Sequence, residues 1–567
     1  MTFNDLLESI GGVGYFQILH TFVLLVPVCL VACHNFLQNF TAAMPGHHCQ
    51  LPPEANWTGP TNHTYGLSEA GLLMVSIPLG GNNKPEKCWR FASTQWHLLE
   101  TNATVANMTK ESIMPCTEGW IYDHSVFSST IITEWNLVCD RRQMRQVAQT
   151  IYMAGVLLGA VIFGGLADRY GRRALLTWSY SQMALAGTCV AFLPSFVSYC
   201  FFRFLCGMAF SGIILNTISL LLEWMPTKGR TAAGTLMGYS FTFGQIILAG
   251  MAYGIRDWRW LQFACSAPFF VFFLYSWILP ESARWLILNG KSQVALRNLR
   301  RVAWVNGKAA AGVALTEDVV RSHMKAETMA MRSTHSALDL VRTPAVRRIS
   351  CLLALVWFAM SFAYYGLGLD LQKFGFNIYL IQACFGAIDI PAKLVGAATM
   401  SLIGRRITES SALILAGLMI LVNVFVPQGM KIARTVLSVL GKGSLAAAFT
   451  CAYLYSGELY PTEIRQTGMG FVSMNARAGS MVAPLVLMIG EYVAFLPPLI
   501  YGLAAVLAGS GALFLMETLN CQLPDTIVDV ENRMREKHLP DKTMAGEQMA
   551  LTQKEHSTSP GCVLDRI

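Results

Sequence analysis

Runs of apolar residues long enough to cross a lipid bilayer recur twelve times along this 567-residue chain. They lie near residues 14–37, 144–166, 174–195, 199–222, 231–254, 260–279, 349–369, 377–402, 410–427, 433–455, 466–490 and 495–516. A helix needs about 20 such residues to span the hydrocarbon. Inside lipid a segment has no water to bond, so each run must satisfy its backbone within itself, as a helix does. An ordinary soluble domain is excluded on this ground, and composition agrees: 53% of residues are hydrophobic, 13% are charged, and mean hydropathy is +0.43.

Charge sets the expected topology. Met1–Gly12 carries Asp5 and Glu8 and no Lys or Arg, unlike the basic leader of a cleaved signal peptide, so the first run reads as a true span. Between Glu281 and Arg348 twelve Lys or Arg stand against five Asp or Glu, an excess of seven within a net charge of +8. The short basic turns share that side: Arg169, Arg172 and Arg173; Lys228 and Arg230; Arg405 and Arg406. The positive-inside rule places them, and both termini, in the cytosol. The basic excess then needs no nucleic-acid partner. Residues 40–142 fall outside, where the sequons at Asn56, Asn62, Asn102 and Asn107 predict glycosylation. Cys49, Cys88, Cys116 and Cys139 share that loop, an even number in an oxidising compartment, so two disulfides are expected, with three pairings open. The other eleven cysteines lack metal-ligand spacing and read as reduced packing residues; no metal site is expected.

An internal repeat organises the spans. Gly164–Arg173 reads GGLADRYGRR after the second, and Ile403–Arg406 reads IGRR after the eighth; Gly171 and Gly404 are 233 residues apart. Glu223–Arg230 (EWMPTKGR) and Glu458–Arg465 (ELYPTEIR) follow the fourth and tenth spans at a shift of 235. Two motif pairs with nearly one offset predict two parallel six-helix halves with a binding site between them near the midplane. The expected layout is an all-α membrane protein: residues 1–280 for one half, 281–348 for a linker of short amphipathic helices, 349–516 for the other half, and 517–567 for a polar, disordered tail. Asp168, Arg169, Arg172 and Arg173 are expected to pair with carboxylates at helix ends. Glu223 with Arg230, and Glu458 with Arg465, offer matching pairs in each half. Such clusters would latch the halves in one orientation and open in the other.

Charged residues at membrane depth point to the site. Arg477 lies in the span from Phe471 to Gly490 with no carboxylate within a turn; its neighbours at three and four residues are Met474, Ser473, Ser480 and Met481. A guanidinium at that depth costs about 3 kcal/mol on insertion scales, so it marks a polar cavity, and an unpaired one attracts an anion. The competing reading is an ion pair with Asp370 or Asp389 from another helix. Lys393 follows Asp389 by four residues and can pair with it on one helix face. Lys442, between Gly441 and Gly443, reads as structural, and Arg203 as a residue reaching back to the interface. Trp357, Tyr364 and Tyr365 on the seventh span, with Phe449 and Tyr453 on the tenth, are spaced to form an aromatic box whose hydroxyls meet a polar ligand end. Asn35 and Asn39, amides one turn apart on an apolar helix, are expected to face the same cavity.

These motifs carry a resemblance. GGLADRYGRR is similar to the signature loop of the major facilitator superfamily. The long first loop, DWRW (Asp257–Trp260), PESARWL (Pro280–Leu286) and ELYPTEIRQTGMG (Glu458–Gly470) resemble the solute carrier 22 family, from Met1 to about Glu531. The opening MTFNDLL and His34–Ala43 (HNFLQNFTAA) are similar to its organic anion branch of renal type. The resemblance implies a polyspecific organic anion transporter of the plasma membrane, basolateral in epithelia, working by alternating access on p-aminohippurate-like anions, urate and dicarboxylates. It implies exchange against intracellular 2-oxoglutarate or glutarate, with chloride sharing the basic site and no other cofactor. It implies a functional lysine at Lys393 and substrate contacts at Trp357, Tyr364, Tyr365 and Phe449. Phe241 matches a position often occupied by Tyr, so a hydroxyl is missing there. Cation carriers of the family place an acid where Arg477 stands.

Other readings stay in view. One is a cation or zwitterion carrier of the same family, and another is a non-transporting sensor on the same scaffold. An enzyme is not expected, because no phosphate-binding glycine loop, paired catalytic carboxylates or histidine cluster accompanies the spans. The terminal Asp565-Arg566-Ile567 offers a weak match to a PDZ ligand.

Overall fold

The structure is a computed structural model. It describes residues 3–51, 69–80, 84–95, 113–320, 322, 338–427 and 429–536. The four sequons and the C-terminal three residues lie outside them. Twelve spans run alternately up and down: α1 (Tyr15–Phe36), α2 (Met144–Tyr170), α3 (Arg172–Phe192), α4 (Phe196–Trp224), α5 (Thr227–Gly254), α6 in two segments (Trp258–Ser266 and Pro268–Ser276), α7 (Pro344–Gly368), α8 in two segments (Ile378–Ala387 and Asp389–Leu402), α9 (Arg405–Phe425), α10 (Lys431–Leu459), α11 (Arg465–Ile489) and α12 (Leu496–Ala512). Eight spans meet the length and apolarity needed to cross a membrane on those criteria alone. The interruptions have local causes. Pro268 opens the second segment of α6, and Pro391 sits in the first turn of the second segment of α8, where its missing N–H is tolerated.

The all-α expectation omits two small sheets in the first loop. β1 (His47–Cys49) pairs antiparallel with β4 (Trp120–Tyr122), and β2 (Trp89–Phe91) with β3 (Ile113–Pro115). This pairing decides the disulfides that the sequence leaves open, namely Cys49–Cys116 and Cys88–Cys139. Nine other cysteines are free thiols. Cys521 departs from the expected reduced state and is disulfide-bonded.

The bundle thus has a loop end, carrying the sheets, and an opposite basic end. Across the interface between the halves α2 packs against α11 and α5 against α8. The loop end is stitched shut across it. Gln372 accepts from the Met44 N–H at 2.9 Å and donates back to its carbonyl at 3.1 Å; Arg145 donates to Gln372 at 3.3 Å and faces Asp370 at 3.9 Å. Phe40 stacks on Tyr379, whose hydroxyl reaches the Val126 carbonyl.

At the basic end each half builds its own charge cluster, and the pairings differ from those the sequence suggests. Glu223 receives Arg172 at 3.3 Å rather than Arg230, and Arg172 also holds Asp168 at 2.9 Å. Glu458 receives Arg405 at 3.1 Å rather than Arg465. Arg230 donates to the Met225 carbonyl, and Arg465 to the Tyr460 carbonyl and Thr462. Arg169 lies over the Tyr170 ring. The reason is the turn. Gly171 (φ +99) and Gly404 (φ +115) reverse the chain so tightly that the following arginine folds back beside its own half's carboxylate. Each turn also seats a half-buried glutamate on the N-terminus of the next helix. Glu281 accepts from the Arg172 and Arg173 N–H groups, and Glu517 from those of Arg405 and Arg406. Burial raises the Glu281 carboxyl above its usual range, against the pull of those backbone donors.

Candidate functional site

Between the halves, α1, α5, α7, α8, α10 and α11 bring together the residues singled out above. The aromatic box forms. The Trp357 ring lies 6.2 Å from Phe449 and 6.4 Å from Tyr453, and Tyr364 lies 5.4 Å from Phe449 and 5.5 Å from Tyr365. Trp357 Nε1 donates to Ser456 Oγ at 2.9 Å, which fixes the indole. Tyr453 is 51% exposed and forms an open edge towards the basic end. Phe36, which the sequence reading passed over, stacks on Tyr365 at 6.0 Å and meets Tyr364 and Phe241 at 6.4 Å each. No sequence signal separated it from ordinary core.

The hydroxyls do not point as expected. Tyr364 donates to Asp389 Oδ2 at 2.9 Å, away from the box, and Tyr365 accepts from Asn35 Nδ2 at 3.0 Å. Asn39 donates to the Gly368 carbonyl at 2.8 Å and to Gln382 at 3.1 Å. Both amides therefore tie the first span and the short turn after it to the opposite half, and the buried Asn35 carbonyl oxygen has no partner.

The lysines also rearrange. Asp389 does not take Lys393, although both lie on one helix. It takes Lys442 of α10 at 3.0 Å, with both side chains fully buried. Lys442 also donates to the Phe385 carbonyl at 2.8 Å, beside the interruption of α8, and to Gln245 and Tyr364. The structural reading of Lys442 stands. Lys393 crosses instead to α5, donating to the Gly238 carbonyl at 2.7 Å and Thr242 Oγ1 at 2.8 Å. Among the described residues no carboxylate forms an ion pair with it, although Asp389 is within electrostatic reach. Arg203, expected to reach back to the interface, is buried at 1% exposure over the Tyr152 ring.

Arg477 is half-buried on α11, with Tyr365 within electrostatic reach. Among the described residues its only hydrogen-bond partner is Ser473 one turn back, through the hydroxyl and the carbonyl at 3.2 Å. The ion pairs weighed against it do not form. Asp389 is committed to Lys442, and Asp370 to Lys373 at 2.5 Å and to Arg145. Among the described residues no carboxylate pairs with Arg477. The arrangement is an aromatic cradle with a free guanidinium on one side and a half-satisfied ammonium on another, suited to an amphipathic anion. No group of three metal-ligating side chains occurs among the described residues.

A family model described as "Sugar (and other) transporter" matches residues 127–526. "Solute carrier family 22 member 20" of Mus musculus is 56% identical over 555 residues, 98% of each chain. "Solute carrier family 22 member 6" of Danio rerio is 50% identical over 572 residues, 100% of this chain and 99% of that one. Among solved structures, the xylose transporter XylE from E. coli in an inward open conformation superposes at TM-score 0.54 and 15% identity, covering 69% of this chain and 90% of that one. The same symporter bound to 6-bromo-6-deoxy-D-glucose gives TM-score 0.54 at 13% identity, covering 91% and 99%. At such identities the likeness concerns the fold alone.

Proposed function

The chain belongs to solute carrier family 22, a family of transporters rather than enzymes, and on that premise we propose that it carries small organic anions across the plasma membrane by alternating access. The observation that carries this reading is Arg477, a guanidinium beside the aromatic box with no carboxylate to neutralise it. A substrate carboxylate supplies the missing charge, and its aromatic or alkyl body fills the space among Trp357, Tyr365, Phe449 and Tyr453. A cation at this place would meet repulsion from Arg477 and Lys393.

The loop end is assigned to the outside. Its two disulfides suit an oxidising compartment, and the basic end suits the cytosol, which supports a cytosolic position for both termini. The contacts of Arg145, Gln372, Met44 and Tyr379 then close the outer entrance, while the Tyr453 edge opens inwards. To load from outside, the halves must rock apart at the loop end, which breaks those contacts and regroups Asn35, Asn39 and Lys393, whose bonds cross the interface. Exchange against intracellular 2-oxoglutarate or glutarate fits a site that must be reset between conformations, with chloride sharing the Arg477 position when no carboxylate is bound.

Uptake in transfected cells tests the reading. Labelled p-aminohippurate is expected to accumulate and labelled tetraethylammonium not, with faster uptake after preloading with glutarate. The reverse preference would make the protein a cation carrier. Binding without any counterflow would make it a sensor.

A further inference from the structure

Arg203 lies on α4 about two turns from its loop end, 1% exposed, with its guanidinium 4.3 Å from the centre of the Tyr152 ring on α2. None of its three nitrogens has an acceptor. Among the described residues no carboxylate pairs with it. The ring face attracts the cation but gives its N–H groups nothing to point at. A lysine so placed can lose its proton, but an arginine stays charged. The neighbourhood adds unpartnered polar groups but, among the described residues, no paired carboxylate. Gln149, one turn from Tyr152 on the same face of α2, is 1% exposed with both amide atoms unpartnered, and the Tyr152 hydroxyl is unpartnered too. His34 of α1 is fully buried within electrostatic reach of Arg203, with Nδ1 unpartnered. Gln149 also lines a small cavity beneath the loop-end contacts, with Gln38, Asn39, Arg145 and Asp370.

Folded proteins leave few buried donors empty and bury a charge only with a counter-charge. We propose that Arg203 and Gln149 hold a resident small inorganic anion, chloride under cellular conditions, inside the N-terminal half. The backbones of α2 and α4 touch beside the site, where a Cβ on Gly155 would lie 2.2 Å from the Phe204 carbonyl oxygen and one on Gly207 2.1 Å from that of Tyr152. The ion is a fixed counter-charge, separate from the transported anion at Arg477, which lies on α11 of the other half. It sets the stability of the N-terminal half whatever the substrate proves to be.

The test is thermal unfolding of the purified full-length protein in sodium chloride series, with sodium gluconate keeping ionic strength constant. The melting temperature is expected to rise saturably with chloride, with bromide acting in its place. Gln149→Ala, which removes a donor to the ion, is expected to raise the half-saturating chloride concentration about tenfold, and Arg203→Lys to raise it at least as far. Arg477→Ala, which removes the chloride that shares the transport site, is expected to retain a saturable chloride response. Should Arg203→Lys fail to fold, Gln149→Ala decides. A wild-type melt indifferent to chloride, an unmoved midpoint in Gln149→Ala, or a chloride response lost in Arg477→Ala would each overturn the proposal.

Discussion

Lys442 and Arg477 are cations at membrane depth on successive helices of the same half, one buried and one half-buried, and they meet the bilayer in opposite ways. Lys442 is sealed from solvent and surrounded by Asp389, the Phe385 carbonyl, Gln245 and Tyr364, drawn from α5, α7 and α8. Arg477 has one serine of its own helix. Burying either charge is expensive. One expense is met inside the protein, and the other is left for something that comes and goes. A carrier needs both kinds: a closed network that holds its helices in register, and an open charge that a substrate completes.

The largest expected effect comes from reversing the open charge. Arg477→Asp should abolish p-aminohippurate uptake while surface labelling shows normal delivery, and surviving uptake would remove Arg477 from the site. Next in size is breaking the closed pair. Asp389→Ala strands Lys442 in the interior and should destabilise the protein by about 3–5 kcal/mol, read as a lowered melting temperature and loss from the cell surface. Adding Lys442→Met to Asp389→Leu should recover most of that stability, because both charges then leave together. A double variant no better than the single one would mean that the two do not act as a unit. The smallest effect is at the seam between the regions. Tyr365→Phe removes the bond from Asn35, worth about 1 kcal/mol, and should shift half-saturation for uptake about fivefold with little change in melting. An unchanged uptake curve would place that bond outside the transport cycle.

How far the site could be read in advance depended on range. Arg477 stood out because the signal is local: an apolar helix with no acid within a turn. The aromatic box was legible from spacing on two helices that the repeat already brought near each other. The Asp389–Lys393 pair was misread because spacing of four along a helix allows contact without deciding it. Asp389 opens the second segment of α8 and its carboxylate turns to Lys442 of α10, while Lys393 turns to α5. Glu281 and Glu517 went unnoticed as caps although they stand 236 residues apart, close to the offsets of 233 and 235 used for the motifs beside them. Extending the repeat to the ends of the sixth and twelfth spans would have found them.

Membrane class, twelve spans, a doubled six-helix plan and an unpaired arginine in the eleventh span all follow from the linear chain, because each depends on residues within one helix or on one repeated offset. Which carboxylate meets which cation depended on tertiary structure. Asp389 chose Lys442 over Lys393, Glu223 chose Arg172 over Arg230, and Cys49 chose Cys116. In each case the partners lie far apart in the chain, and a helix break, a glycine turn or a strand pairing fixed the few ångströms within which a charge or a sulfur finds its match.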